Sequence, residues 1–373
     1  MSRIIFCTSA DMMKTYNSGG EQACKRNLSF LQRIYGTNNV DIVFFSDSQE
    51  EMPTQYYAFK RLRRWKAYAA QLMGYKMYFP WNEKKIIKLI KSLNPQIIFF
   101  DGVLVGNLLP KLSKNIKKIV FEHNFEKKFY RLKVKYQGLI YLPEYWTISR
   151  CEELALKNCD SLICLSERDQ KEIKTEYDRK ADLILPISFK NLFCAEKLNV
   201  CAESKKLLFI GSNFGPNLNG IRWFVKNVMK KLPDYTLYIV GKGFENNREE
   251  LEEKNVVVVG TVNDLENFYY MYPAIVMPIF YGSGMKVKTA EAMMYGRTIF
   301  ATDEALEGYD VQNVNGIFRC NTEEEFIKGI TSYFAQEPLG FQTEVYKLYA
   351  EKYSDAAVFE KLKNYILADE KNE

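Results

Sequence analysis

Histidine is nearly absent from this 373-residue chain: His123 is the only one. That excludes a multi-histidine metal centre, and a Ser-His-Asp triad is open only with His123 as its base. The eight cysteines (Cys7, Cys24, Cys151, Cys159, Cys164, Cys194, Cys201, Cys320) never form C-x-x-C. Most sit in apolar stretches, so reduced thiols in a cytosolic protein are expected, not a disulfide scaffold. No 18-residue stretch is both charge-free and apolar throughout, so no membrane-spanning helix is expected. The short apolar run at the start meets Asp11 and reads as a first strand, not a secretion signal. G-x-G-x-x-G is missing, since Gly241-Lys242-Gly243 has no third glycine. The Walker loop fails too, because Ile221-Arg222 follows Gly215 and Gly220 where Lys-Ser/Thr is needed. D-x-D occurs nowhere. The usual carboxylate grip on a nucleotide-bound metal is therefore missing, and neither a metal site nor a cofactor is expected.

What is present is globular. The chain is 47% hydrophobic and 26% charged, enough apolar surface to outweigh chain entropy, and its length suits two domains. The net charge of +6 hides an asymmetry: residues 51–150 hold 20 Lys and Arg against 6 Asp and Glu, so the rest of the chain sums to −8. Such a cationic block favours an anionic partner: a membrane surface, a nucleic acid or a phosphorylated acceptor.

Short apolar strands alternate with amphipathic helices. Strands are expected at 3–8, 40–46, 97–100, 118–122, 161–165 and 183–185. The first half also carries helices at 21–35, 84–92, 145–158 and 167–177, with Ser166 as an N-cap. Residues 186–204 show no period and read as a linker. A second series follows, with strands at 207–211, 236–240, 256–259, 274–278 and 298–301. Helices are expected at 218–231, 246–254, 265–272, 288–295, 323–334 and 339–368. The pattern predicts two parallel α/β domains with a cleft between them, ligands lying beyond the carboxyl ends of strands. We place a first α/β domain at 1–190 and a second, ligand-binding one at 200–340. Residues 341–373 are expected to be helices packing back toward the first domain.

Two glycine-rich loops follow strands and precede helices: Gly211-Ser212-Asn213-Phe214-Gly215-Pro216-Asn217 and Tyr281-Gly282-Ser283-Gly284-Met285-Lys286-Val287-Lys288. Small residues let backbone N–H groups reach a phosphate, and the following helix aims its positive end there. Lys286 and Lys288 add charge where a diphosphate would sit. Ordinary strand-to-helix turns are the alternative. Glu291 lies among Ala290, Ala292, Met293 and Met294, an apolar setting in which a carboxylate needs partners. A ribose diol supplies two donors that one carboxylate accepts together; stabilisation of the helix start is the alternative. His123 and Asn124 follow an apolar strand directly, a placement suited to a cleft, though a lone histidine is often structural. Lys60, Arg61, Arg63, Arg64, Trp65 and Lys66 mix cations with aromatics, which suits an anionic headgroup interface. No recognised nucleic-acid motif accompanies them, and a solvated helix face over core aromatics is the other reading.

Residues 280–301, FYGSGMKVKTAEAMMYGRTIFA, resemble the donor-site segment of GT-B glycosyltransferases, in particular the family 4-like retaining enzymes. There a glycine-rich turn, a helix with a glutamate and G-[KR]-P-V-[IV]-[AG]-[ST] follow one another; here Glu291 matches the glutamate, and Thr298 replaces the proline. LLFIGSNFGPNLNGIRWFVKNVMKKLPDYTLYIVGKG resembles the opening of the family's second domain, VVVVGTVNDLENFYYMYPAIVMPIF its middle, SGGEQ its acceptor-side glycine loop, and LICLSERDQKEI the close of its first domain. The resemblance implies the GT-B fold, two Rossmann-like α/β domains, and a nucleoside-diphosphate sugar as donor, with UDP the frequent base. It implies that Glu291 holds the ribose, that backbone at Gly260, Thr261 and Val262 meets the base, and that Gly211, Ser212, Asn213 and Asn217 lie by the diphosphate. Ser283, Gly284, Met285, Lys286 and Lys288 would line sugar and phosphate, with Lys286 and His123 as the catalytic groups. Gly19, Gly20, His123 and Asn124 would lie on the acceptor side. Two departures stand out. Ser283 occupies the position of a second, sugar-contacting glutamate, and Asn213 and Asn217 stand where many relatives have Arg and Lys. The expected function is transfer of a sugar to a glycan or lipid-linked glycan, with retention and without metal, in the cytoplasm and at the inner membrane face. A non-catalytic partner subunit of the same fold and a nucleotide-sugar epimerase are the alternatives.

Overall fold

A computed structural model describes residues 3–14, 19–48, 51–63, 65–198, 205–282, 284–336 and 340–371. Ser18, Arg64, Cys201 and Ser283, each singled out above, lie outside the described residues. The chain divides into two compact units, 1–185 with 359–373, and 186–358.

The first unit is built on seven parallel strands in the order β3-β2-β1-β4-β5-β6-β7. They are β1 (Ile4–Thr8), β2 (Val40–Ser46), β3 (Tyr56–Lys60), β4 (Ile97–Asp101), β5 (Lys117–Glu122), β6 (Ser161–Cys164) and β7 (Leu183–Ile184). β1 lies between β2 and β4, with Ile4 opposite both Val40 and Ile97. Every residue of β1, β2, β4 and β6 is buried, the signature of a sheet covered on both faces. The helices are α1 (Gly19–Tyr35), α2 (Trp65–Leu72), α3 (Pro80–Leu93), α4 (Glu126–Gln137), α5 (Leu142–Asn158) and α6 (Glu167–Tyr177). Ser166 caps α6 as expected, its hydroxyl accepting from the Asp169 amide at 3.1 Å. Asn94 ends α3 in the left-handed region, φ 47°. One core cluster joins Ile5, Val43, Phe45, Ile86, Phe100 and Val120 across sheet and helices.

The second unit carries six parallel strands in the order β10-β9-β8-β11-β12-β13: β8 (Lys206–Ile210), β9 (Thr236–Val240), β10 (Val256–Gly260), β11 (Ala274–Met277), β12 (Thr298–Ala301) and β13 (Ile317–Arg319). Its helices are α7 (Gly215–Asn227), α8 (Arg248–Leu251), α9 (Glu266–Met271), α10 (Val287–Met294), α11 (Glu323–Phe334) and α12 (Thr343–Leu348). α11 opens with a capping box of Thr322 and Glu325. Two glycines permit close approach at the head of this sheet. A Cβ at Gly241 would stand 1.7 Å from the Gly211 carbonyl, and one at Gly220 would stand 1.9 Å from the Pro278 carbonyl. α7 therefore packs directly against the chain leaving β11.

The structure adds β3, α2, α4 and β13 to the expected elements and differs from the sequence expectation elsewhere as well. Residues 186–198, expected as linker, count with the second unit. There Tyr349 donates to the Phe189 carbonyl at 2.8 Å, and Ser188 donates to Asp355 at 2.7 Å. The helix expected over 339–368 is broken: α12 runs into a π turn at Tyr349–Tyr353, Ser354 is extended, and α13 (Asp355–Lys371) starts afresh. The Ser354 hydroxyl accepts from the Ala357 amide, a cap that favours a new start. Residues 359–373 count with the first unit, where Phe359 meets Phe30 edge-on and lies under the Arg33 guanidinium. Gly19 and Gly20, expected in a loop, form the first turn of α1.

Candidate active site

Each sheet reverses its strand order once, between β1 and β4 in the first unit and between β8 and β11 in the second. Open parallel sheets bind ligands at that reversal, beyond the strands' carboxyl ends, because the two loops there turn away from each other and leave a crevice. In the second unit the loops after β8 and β11 are the two glycine-rich segments. The Asn219 amide joins them by donating to the Tyr281 hydroxyl at 2.7 Å.

The first loop is held by its own amides. Asn213 donates to the Gly243 carbonyl at 2.9 Å and to Asn247 at 2.7 Å. Asn217 donates to the Ser212 carbonyl at 2.9 Å. The two asparagines that stand in place of basic residues thus fix the backbone. Arg222, deeper in α7, pairs with Glu250. No side chain caps α7, so the N–H groups of its first turn face the loop. After β10, Gly260 adopts a left-handed φ of 82°. The Thr261 hydroxyl and amide both donate to Glu245, at 2.9 and 3.2 Å, while Val262 follows in the same loop.

The second loop leads from Gly282 through Gly284 and the buried Met285 to Lys286, the N-cap of α10. Gly284 has φ 65°, a conformation glycine adopts without cost. The two lysines diverge. Lys286 Nζ bonds Glu304 at 2.7 Å and the Gly284 carbonyl at 2.8 Å, bracing the turn. Lys288 Nζ bonds Glu291 Oε2 at 2.6 Å. Tyr269 donates to the same Oε2 at 2.9 Å. Burial first, then the Glu291 charge, push the Tyr269 phenol well above its usual range, so it stays a donor. Glu291 Oε2 is thus doubly bonded, and its side chain is 16% exposed. A carboxylate fixed at one oxygen can accept from a diol at the other.

In the first unit, residues from the ends of β4 and β5 converge on a helix. His123, just past β5, sets Nε2 3.0 Å from Asp101 Oδ2, at the end of β4. Asn27 of α1 donates to the other oxygen, Oδ1, at 2.7 Å, and Arg26 donates to Asn27 at 2.8 Å. Burial opposes the Asp101 charge, but His123, Asn27 and Cys24 outweigh it and hold the carboxyl below its ordinary range. Asn124 hydrogen-bonds Glu126, the first residue of α4. Burial, reinforced by the Glu152 charge, pushes the Glu126 carboxyl up to about 7. Glu152 of α5 accepts the Glu126 amide at 2.6 Å and the Tyr177 hydroxyl at 2.6 Å, capping α4 from outside. Burial and the Glu152 charge also push Glu122 well above the carboxylate range.

The sequence singled out Glu291, both lysines, the two loops and His123; it did not single out Tyr269, Glu304, Asp101, Asn27 or Glu126, which the structure sets beside them. Asp101 alone left a signal, as a carboxylate closing an apolar strand before glycine. Among the described residues no group of three or more His, Cys, Asp or Glu side chains is arranged to hold a metal, and none of their cysteines is in a disulfide.

Residues 204–336 match the family described as Glycosyl transferases group 1, which spans the second unit's sheet. An uncharacterized glycosyltransferase of Haemophilus influenzae is 26% identical over 303 residues, 76% of this chain and 79% of that protein. Sucrose-phosphate synthase of Thermosynechococcus elongatus superposes with a TM-score of 0.72 at 16% identity, covering all of both chains. HepE of Anabaena, solved in complex with UDP, superposes at 0.68 with 13% identity, over 98% of this chain and 100% of that one. The fold is GT-B. The chain is a glycosyltransferase that carries a group 1 match over residues 204–336, inside its second unit.

Proposed function

We propose that the enzyme transfers a sugar from a nucleoside diphosphate, UDP, to a hydroxyl of a glycan or lipid-linked glycan, with retention and without metal. The observation that carries this reading is Glu291, fixed by Tyr269 and Lys288 just past the glycine loop at the second sheet's reversal. Glu291 takes the ribose hydroxyls. Gly260, Thr261 and Val262 offer backbone to the base. Gly211, Ser212, Asn213 and Asn217, with the start of α7, receive the diphosphate, while Ser283, Gly284, Met285 and Lys286 line the sugar and its phosphate. The UDP bound in HepE supports the choice of base.

The chemistry needs no protein nucleophile. The bond from the sugar's anomeric carbon to the diphosphate oxygen breaks. The acceptor oxygen bonds that carbon from the same face, and the departing phosphate takes the acceptor's proton. Backbone N–H groups, the α7 N-terminus and Lys286 stabilise charge growing on the diphosphate, and they are in place beforehand. On the acceptor side we place Gly19, Gly20, Asn124 and His123, whose imidazole Asp101 orients. Lys60, Arg61, Arg63, Arg64, Trp65 and Lys66 dock the first unit on an anionic membrane, consistent with a lipid-linked acceptor. The test is a screen of nucleotide sugars for release of nucleoside diphosphate with a lipid-linked or simple glycan acceptor. Acceptor-dependent release from a UDP-sugar is expected; release from no nucleotide sugar would overturn the reading.

A further inference from the structure

The first unit exposes a band of large apolar side chains that the cationic run alone does not reveal. Leu139 and Ile140, at the turn Leu139–Tyr141 between α4 and α5, are 74% and 75% exposed. Tyr136 and Trp146 flank them, also largely exposed. α2 adds Trp65, Tyr68 and Leu72, and buries only Ala70. The two stretches adjoin. Thr147 Oγ1, next to Trp146, donates to the carbonyl of Gln71, next to Leu72, at 2.7 Å. Glu144 of α5 pairs with both Lys76 and Lys133, tying α4 and α5 to the segment after α2.

Single exposed apolar residues are ordinary on a soluble protein; an adjacent Leu-Ile pair at a tip, continued by aromatics, marks an interaction site. Charge chooses the occupant. Residues 51–150 carry 20 cations against 6 acids. The cations interleave with the rings: Lys133 lies 4.2 Å from the Tyr141 centroid, Lys135 5.3 Å from Tyr136, and Lys66 5.7 Å from Trp65. A second copy docked on the same face would set these cations against each other. An anionic bilayer accepts the cations at its headgroups, the rings at the boundary and the aliphatic tip beneath.

We infer that the Leu139–Ile140 tip, continued by α2, inserts into an anionic bilayer and anchors the first unit there. The inference rests on the docking reading above and adds to it an apolar anchor outside the cationic run. It does not depend on the donor.

The test is flotation of the full chain with vesicles of phosphatidylcholine alone or mixed with phosphatidylglycerol, at low and high salt. Two variants are compared with wild type, Leu139→Ser/Ile140→Ser and Arg61→Ser/Arg63→Ser/Lys66→Ser. Near-UV circular dichroism confirms that each is folded. Wild type should float with the anionic vesicles at low salt. The tip variant should lose about tenfold or more of that partitioning, since two aliphatic side chains no longer leave water. A tip variant that floats like wild type, while the cation variant does not float, overturns the anchor and leaves the electrostatic docking standing. Wild type that floats with neither vesicle overturns both. Dimerisation abolished by the tip variant, with no flotation of wild type, would assign the face to a second copy and overturn the inference.

Discussion

Replacing Asp101 by asparagine tests how the first unit fixes its one histidine. The aspartate is 4% exposed and spends both oxygens, Oδ2 on His123 Nε2 at 3.0 Å and Oδ1 on the Asn27 amide at 2.7 Å. With aspartate present, the Nε2–H is held and Nδ1 is left as an acceptor. An asparagine that still accepts from Asn27 turns its NH2 toward Nε2 and drives the proton to Nδ1, reversing the polarity the ring presents. The loss is one buried charge-assisted bond, about 1.5–3 kcal/mol. For a unit of this size that lowers the melting temperature by roughly 4–10 °C. If His123 handles a substrate hydroxyl, turnover falls by about 10²–10⁴-fold. The sign with pH follows from Asp101, whose carboxyl is held below its ordinary 3.8. A depressed carboxyl stabilises the fold above its unfolded value and stops doing so as pH falls through its folded one. Urea melts of wild type and variant should therefore differ above the ordinary carboxyl value of 3.8 and converge as pH falls below it through the folded carboxyl's depressed range. A variant with wild-type stability at pH 7 and wild-type turnover would refute the reasoning.

Glu126 has the opposite sign: its carboxyl is raised to about 7, so the native state favours its protonated form. Glu126→Gln should leave stability unchanged near pH 4.5 and raise it by roughly 1–3 kcal/mol as pH rises to about 7; urea melts that show no such pH-dependent gain would contradict the raised carboxyl. Lys286→Ala and Lys288→Ala should separate, the first lowering turnover through the diphosphate and the second weakening donor binding by freeing Glu291. Steady-state kinetics in which neither variant differs from wild type would sink the electrostatic account. Activity should survive EDTA, and complete loss restored by manganese would contradict the mechanism.

The second unit was the more legible in sequence because its chemistry is local. The second glycine loop, both lysines and Glu291 fall within residues 281–291, and each reads from its neighbours. Their restraints were not legible: Tyr269 is 22 residues from Glu291 and Glu304 is 18 from Lys286, and only the parallel sheet brings them together. In the first unit Asn27 and Asp101 are 74 residues apart. β3 and α2 were missed because residues 56–72 read as a mixed cationic and aromatic run. That composition belongs to an edge strand with no fully buried residue and a helix that buries one. Strands buried on both faces announce themselves as apolar runs, whereas elements at an exposed edge carry no such pattern.

The central claim is that the loops at the second sheet's reversal, with Glu291, bind a nucleoside diphosphate. Isothermal titration of UDP into wild type and Glu291→Ala tests it most directly. Removing a charged, fixed acceptor from the ribose costs about 1.5–3 kcal/mol, roughly 10–100-fold in affinity. The account predicts saturable one-site binding to wild type and that loss in the folded variant. Equal affinity for the two proteins would remove Glu291 from the site, and no binding of any nucleoside diphosphate to wild type would contradict the claim itself.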